Sequence, residues 1–525
     1  MSNALPYVYL MALHKKVTGS CHLVNINYPD GTSKNIIVDC GLFQEGDRKD
    51  KKNKEKSNDD QKGKKEKKNK LFKKKKHHKK HQDDKNETFP FEPCNIDDVL
   101  VTHNHVDHIG RLPLLVKKGY NGNIHISKTT NKLIGCALGD SYKVLKTKAK
   151  VLGKPPLYSS DDVEETLRRM RGHDYNKSFF LDEEKNIKIT FFMNGHLPGA
   201  VMILLQIKFH DYTEEEYEDI NILFTGDYNN TNTFFDPKPI PDWVYNLPIT
   251  IIQESTYGDM NSDQVEYVFK DNFFKALSEG KDIILPVFSL GRSQEILFLL
   301  KNWQQHGILD KSIPIYFDGK LGMKYTNQFI KDGLDNKPEC RDILPENFDD
   351  ISGNTEKRHI IVNNGVQKII LCTGGMGSNG PAQTYITEFL PRKRALIHFT
   401  GFCAEGTFGR KLYNTQYGQI VSLGPDGMDD SGNTIPTGLM IKKMADVLYT
   451  SEFSAHARAD VMIDFLKKFN QLKLVIVNHG EPKVQVKFAE RIINEVEPKA
   501  VGIAGTYLYK VNCYGLAKTF TTKFS

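Results

Sequence analysis

The residues best equipped for chemistry in this 525-residue chain occupy six consecutive positions, His103-Asn104-His105-Val106-Asp107-His108. Two histidines alternate, and an Asp-His pair follows one residue later. Val99, Leu100 and Val101 lead in as a short apolar strand; Gly110 and Leu112-Pro113-Leu114-Leu115 lead out through a turn into a helix. Side chains alternate along a strand, so His103 and His105 project to the same side. Asp107 and His108 sit where the chain turns, close to the first pair. Nitrogen and oxygen donors converging in so short a span suit zinc or a similar divalent ion. A histidine-rich surface loop is the plainer alternative; the packed spacing between strand and helix argues against it.

More candidates follow in order. Asp39 closes the strand Ile36-Ile37-Val38, and Cys40-Gly41 come next. His196 lies in Asn194-Gly195-His196-Leu197-Pro198-Gly199, and Asp227 in Phe224-Thr225-Gly226-Asp227-Tyr228. Glu254 lies in Gln253-Glu254-Ser255-Thr256-Tyr257-Gly258, His456 in Phe453-Ser454-Ala455-His456, and His479 in Val477-Asn478-His479-Gly480-Glu481. Between these stand Ser289-Leu290-Gly291-Arg292-Ser293-Gln294-Glu295 and Gly406-Thr407-Phe408-Gly409-Arg410. This series resembles the metallo-β-lactamase superfamily and, within it, the β-CASP nucleases, with Glu254, His456 and His479 in their motifs A, B and C. The wording is similar to the stand-alone microbial β-CASP ribonucleases and more distantly to the endonuclease subunit of the eukaryotic cleavage and polyadenylation factor. The resemblance covers nearly all of the chain except residues 47–87.

The resemblance implies an α/β fold: an αββα metallo-β-lactamase sandwich over residues 1–257 and 451–525, with an α/β β-CASP domain inserted at 258–450. It implies two zinc ions, one held by His103, His105 and His196, the other by Asp107, His108 and His479, with Asp227 bridging. Asp39 becomes a support for the ligands. Asp107 orients or deprotonates water, His456 protonates the leaving oxygen, and Glu254 holds His456. The implied reaction is zinc-dependent hydrolysis of RNA phosphodiesters, endonucleolytic, leaving 5′-phosphate and 3′-hydroxyl ends. RNA is favoured over DNA because motif C carries a histidine. The alternatives are a 5′-3′ exoribonuclease, a DNA-directed nuclease, a small-molecule metallo-hydrolase or an inactive scaffold. The last needs lost ligands, and none is lost. Arg292 and Arg410 follow glycines near expected helix starts, where backbone N–H groups favour phosphate, and are candidate substrate contacts. His398 reads as core packing or a substrate contact. Two departures from the family wording, Asp318-Gly319-Lys320 and Thr373-Gly374-Gly375-Met376-Gly377, bear on substrate contacts.

Alternation of β-branched runs (Ile124–Ile126, Ile187–Phe192, Ile222–Phe224, Ile249–Ile252) with helical stretches such as Asp161–Arg171 independently argues for an α/β protein. Ile283–Val287, Ile313–Phe317 and Ile369–Cys372 read as buried parallel strands. The length suggests two to four domains. No stretch is apolar and long enough to span a bilayer, and the N-terminus reads as a strand. Eight scattered cysteines with no C-x-x-C pair read as buried structural thiols, which fits a cytoplasmic protein, or a nuclear one in a eukaryote. A homodimer is left open. The net charge of +7 is uneven: residues 47–87 hold 18 lysines and 1 arginine against 9 acidic residues, a net of +10, leaving −3 for the rest. So polar a segment does not bury enough surface to order itself. It reads first as a solvated surface spacer, second as a nucleic-acid arm, third as a nuclear-localisation-like run.

Overall fold

The structure, a computed structural model, describes residues 7–12, 18–43, 85–209, 219–401, 403, 406–423, 426–428, 434–436, 438–505, 508–512 and 518–520. Most of the Lys-rich segment, its residues 47–84, lies outside them. Two sheets face each other. One has eight strands in the order Lys518–Phe520, Leu508–Asn512, Tyr7–Ala12, His22–Asn27, Ser33–Val38, Asp98–Leu100, Asn123–Ser127 and Met170–His173. The other has seven: Val501–Ile503, Gln471–Asn478, Pro248–Glu254, Ile220–Phe224, Val201–Ile207, Ile187–Met193 and Ser178–Asp182.

Period-two alternation explains why the second sheet's central strands are largely apolar on both faces. Ile189, Phe191, Ile203, Leu205, Ile222 and Phe224 face the first sheet's Val24, Ile26, Ile36 and Val38. The alternate residues Phe192, Met202, Leu204 and Leu223 face outward, under the helices Ala459–Leu466 and Pro482–Glu495. A strand covered on both sides needs apolar residues on both. The first sheet's outer face packs on the helix Lys128–Val151 through Leu133, Ile134 and Leu138. The layers are thus α, β, β, α.

A third, six-stranded sheet is wholly parallel, in the order Phe348–Asp350, Ile315–Asp318, Ile369–Thr373, Asp282–Val287, Ala395–Phe399 and Asp446–Tyr449. Helices cover both faces, as parallel sheets require. It does not float free of the sandwich. Leu290, Tyr325, Phe329, Cys340 and Ile343 share one core with Leu133, Ile134, Leu197, Phe234 and Phe235.

Two expectations need correction. The helix expected over Asp161–Arg171 is Ser160–Arg168, and Arg171 lies in a strand. A capping box between Ser159 and Asp162 starts the helix, and pairing of Ile124 with Met170 ends it by drawing the chain into the sheet. The cysteines are not uniformly buried: Cys94 is exposed and Cys136 half-buried. Of the two readings of His398, the structure bears out core packing: it is wholly buried, with Phe269 edge-on at 4.9 Å between ring centroids.

The site edge depends on one close approach. A Cβ on Gly41 would stand 1.5 Å from the carbonyl oxygen of Asp107. Gly41→Ala is therefore expected to force the two segments apart and destabilise the protein by about 3 kcal/mol or more, read as a drop in melting temperature.

Candidate metal centre

Parallel pairing brings the C-terminal ends of several strands to one edge. Val38 pairs with Leu100, Phe224 with Ile252, and Glu254 with Asn478. Asp39, the His103–His108 run, Asp227, Glu254 and His479 therefore emerge together. Asp39 and His479 have left-handed backbones, φ 61° and 47°, so the chain turns sharply as it leaves the strand. His196 arrives differently, from the turn between Ile187–Met193 and Val201–Ile207.

The side chains form two groups. Donor atoms of His103, His105, His196 and Asp227 lie within 4.8 Å of one another, as do those of Asp107, His108 and His479. Asp227 reaches both. Its Oδ2 is 3.6 Å from His103 Nε2, 3.8 Å from His196 Nε2 and 3.3 Å from His108 Nε2; its Oδ1 is 3.1 Å from His479 Nδ1.

A set of outer contacts aims these groups. Asp39 accepts from the Thr102 N–H and hydroxyl, both at 2.8 Å, and from His108 Nδ1 at 2.7 Å. The proton held at Nδ1 leaves His108 Nε2 as the inward donor. His196 Nδ1 donates to the Ala455 carbonyl at 3.0 Å, which frees its Nε2 likewise. Asn194 accepts the His196 N–H at 3.1 Å and donates to the Asp227 carbonyl at 3.0 Å, bolting two strand ends together.

The arrangement fits cations. His103 Nε2 and Asp227 Oδ1 are buried without a hydrogen bond. His105 Nδ1 faces His196 Nε2 at 3.2 Å, and His108 Nε2 faces His479 Nε2 at 3.4 Å. Buried polar atoms left so are costly unless something shared satisfies them. A mixed imidazole and carboxylate set suits zinc or a similar divalent ion. Protonation agrees. Burial, reinforced by neighbouring histidines, holds His103 and His196 well below the usual histidine range and His105 at about 4. Burial opposes ionisation of Asp227, but His479 and His108 outweigh it and keep it an anion. His108 is the exception. Burial disfavours its charge, yet Asp227 and Asp39 push its pKa well above the usual value, so metal binding there displaces a proton.

Beside the two groups stands a second arrangement. His456 Nδ1 lies 2.9 Å from Glu254 Oε2. Glu254 also accepts from the Tyr228 N–H at 2.7 Å and the Thr256 hydroxyl at 2.8 Å. Although Glu254 and His456 lie within ligand distance of Asp227 and His479, both Glu254 oxygens are thus engaged. Burial lowers the His456 pKa, but Glu254, with Asp227 and Asp107, overrides it and raises the value to about 9.

The expected substrate arginines fare differently. Arg292 is buried, paired with Glu295 at 2.7 Å, hydrogen-bonded to the Phe453 carbonyl and stacked over the Phe453 ring. It joins the helix Arg292–Gln305 to the segment carrying His456. Arg410 lies on the helix Phe408–Tyr413, 6.0 Å from the Tyr413 ring. Sequence reading missed Thr102, Asn194 and Thr256. Thr102 neighbours a recognised motif, and Asn194 and Thr256 sit inside one, but nothing in their type singles them out.

Comparison with known proteins decides the family. Residues 16–248 match the model of the metallo-beta-lactamase superfamily, 293–412 that of the Beta-Casp domain, and 440–501 that of the Zn-dependent metallo-hydrolase RNA specificity domain. The chain belongs to the β-CASP family of the metallo-β-lactamase superfamily. It is similar to a transcription termination factor FttA of Methanosarcina mazei, 28% identical over 78% of this chain and 62% of that protein. It is also similar to an RNase J-like protein of Methanocaldococcus jannaschii (27%; 79% and 88%) and to ribonuclease TTHA0252 of Thermus thermophilus (25%; 89% and 91%). The chain thus spans about three-fifths of the length of the archaeal termination factors. No helix among the described residues is long and apolar enough to cross a membrane.

Asp39 touches His108 but neither group's inward donors. Asp39→Ala is expected to lower metal affinity by about 10–100-fold, measured as metal retained against a competing chelator, while the secondary structure survives.

Proposed function

We propose that this β-CASP protein is a zinc-dependent ribonuclease that cleaves RNA internally and leaves 5′-phosphate and 3′-hydroxyl ends. The observation that carries the reading is Asp227 shared between two donor groups, with the Glu254–His456 pair beside them. His103, His105 and His196 hold one ion, and Asp107, His108 and His479 the other. When bound, such ions polarise the phosphoryl group and activate the attacking water. Asp107 orients that water. His456, its Nδ1 engaged by Glu254, gives a proton from its other ring nitrogen to the departing 3′ oxygen. Residues 258–450 carry the third sheet, which shares a hydrophobic core with the sandwich beside the site.

A direct assay tests the whole reading. Purified protein should carry close to two zinc ions per chain and cut end-labelled RNA in preference to single-stranded DNA. A chelator should abolish both metal and cleavage. Circular RNA offers no end, so its survival would make the enzyme an exonuclease. Full turnover with one ion or none would reject the dinuclear site.

His456→Ala is expected to keep its metal yet lose about 10²–10⁴-fold in turnover, the usual weight of a general acid. A general acid works protonated, so activity falls as pH rises through its pKa. Glu254 supports that pKa, while a bound cation offsets the help from Asp227 and Asp107. Glu254→Gln should therefore move the alkaline limb of the rate profile to lower pH. An unmoved limb would assign the proton to another group.

The Lys-rich segment adds a separate expectation. With +10 on residues 47–87 and −3 elsewhere, this segment carries the excess positive charge. Each phosphate it neutralises on a single strand contributes about −0.7 to the slope of log K against log salt. Replacing residues 47–84, which hold all of that +10, with a short Gly-Ser linker and keeping residues 85–89 should raise KM at low salt, flatten the salt dependence, and leave kcat and metal content unchanged. An unaltered salt slope would make it a spacer.

A further inference from the structure

Arg111 is among the largest wholly buried side chains, and its charge is met from several directions. Its guanidinium lies between two aromatic faces, 5.0 Å from the centre of Phe43 and 4.9 Å from that of Phe89. Nε donates to the Gly41 carbonyl at 2.6 Å, and Nη1 reaches the carbonyls of Lys85 and Thr88, both at 3.3 Å. Its own N–H donates to the Cys40 carbonyl at 2.8 Å. One side chain thus binds the turn after Asp39 and the chain at 85–89, two stretches far apart in sequence.

That turn is braided into the ligand run. Cys40 N–H donates to the His108 carbonyl at 2.7 Å, Leu42 N–H to Val106 at 3.0 Å, and Ser20 N–H to Asp107 at 2.8 Å. A second bracket closes the same place: Asn86 accepts from the Phe43 N–H at 2.8 Å and donates to the Phe43 carbonyl at 3.1 Å. The Asp39 carboxylate, two residues before Gly41, sets the direction of His108 through a 2.7 Å bond.

We propose that Arg111 is a positioning residue for the metal centre: by clamping the Asp39–Phe43 turn to residues 85–89, it holds Asp39 on His108 and so sets metal affinity. The proposal rests on the metal-binding reading above. Planarity matters to it. A guanidinium fills the slot between two rings and still reaches carbonyls on both sides, whereas an ammonium is a point donor without that fork. Lysine is therefore a poor replacement despite its charge.

The test is metal affinity of the full chain, measured by zinc competition with a chromophoric chelator, with a thermal melt run alongside. Arg111→Lys and Arg111→Met are expected to weaken zinc binding about ten-fold, the lower end for groups one shell out from a ligand. Phe89→Leu, which removes one aromatic face and keeps the charge, should give a smaller loss in the same direction and serves where Arg111→Met fails to fold. In an Asp39→Ala background the same substitutions should cost almost nothing further, because coupled sites are not additive. Undiminished affinity in Arg111→Lys or Phe89→Leu, or an equal loss in both backgrounds, overturns the proposal. A wild-type chain that binds no divalent ion overturns the metal reading and this proposal with it; a wild type that binds, beside variants that bind as well, overturns this proposal alone.

Discussion

Everything at the site depends on one buried anion. Asp227 is almost wholly out of solvent, yet its charge persists because four imidazoles crowd it at 3.1–3.8 Å. Taking a carboxylate out of water is expensive unless opposite charge or hydrogen bonds compensate. His479 and His108 supply the compensation, whereas His103 and His196, kept neutral by burial, only face it through their Nε2 atoms, and Asp227 Oδ1 and His103 Nε2 are left without a hydrogen bond. The fold therefore holds a polar cluster that its own atoms do not fully satisfy. Such a cluster is a receptacle for cations, and the same deficit makes metal binding and local stability one quantity.

The sandwich delivers this cluster by a simple rule. Parallel neighbours end at the same level, so loops leaving their C-terminal ends meet. The first sheet contributes Asp39 and the His103–His108 run from adjacent parallel strands; the second contributes Asp227, Glu254 and His479 from another three. Facing the sheets against one apolar core brings the two sets together. Only His196 reaches the place through an antiparallel turn, and Asn194 compensates by tying that turn to Asp227.

The donor cluster was legible because side chains able to hold a metal are few in type and restricted in spacing. His103, His105 and His108 stand out within six residues, and Asp39, Asp227 and His479 each follow an apolar run. Strand identity was legible from pattern: Ile187, Ile189 and Phe191 alternate with Lys188 and Thr190, and Ile283–Val287 is apolar on both faces. What stayed hidden are residues whose role is set by distant partners. Arg292 stands out in the sequence because it opens a helix after glycine; its bond to the Phe453 carbonyl, 161 positions away, does not. Arg111 gave no signal, since its carbonyl partners at 41, 85 and 88 have no side-chain identity to read. The helix expected to reach Arg171 stopped at Arg168 because tertiary pairing in the sheet, not local propensity, decides that boundary.

The two halves of the site are joined by a single residue's backbone. Ala455 accepts the Nδ1 proton of His196, and the next residue is His456, whose Nδ1 meets Glu254. A shift of His196 therefore moves the peptide that carries His456. On the far side, the Phe453 carbonyl is held by Arg292, and Asn229 donates to the Ser454 carbonyl at 3.3 Å. Three successive carbonyls, at 453, 454 and 455, thus bind the third sheet's layer, the Asp227 loop and a member of the first donor group. A segment so constrained has little freedom to place its histidine without all three supports. The orientation of His456 and that of His196 are consequently set by one short stretch of chain, to which the third sheet's layer is tied through Arg292.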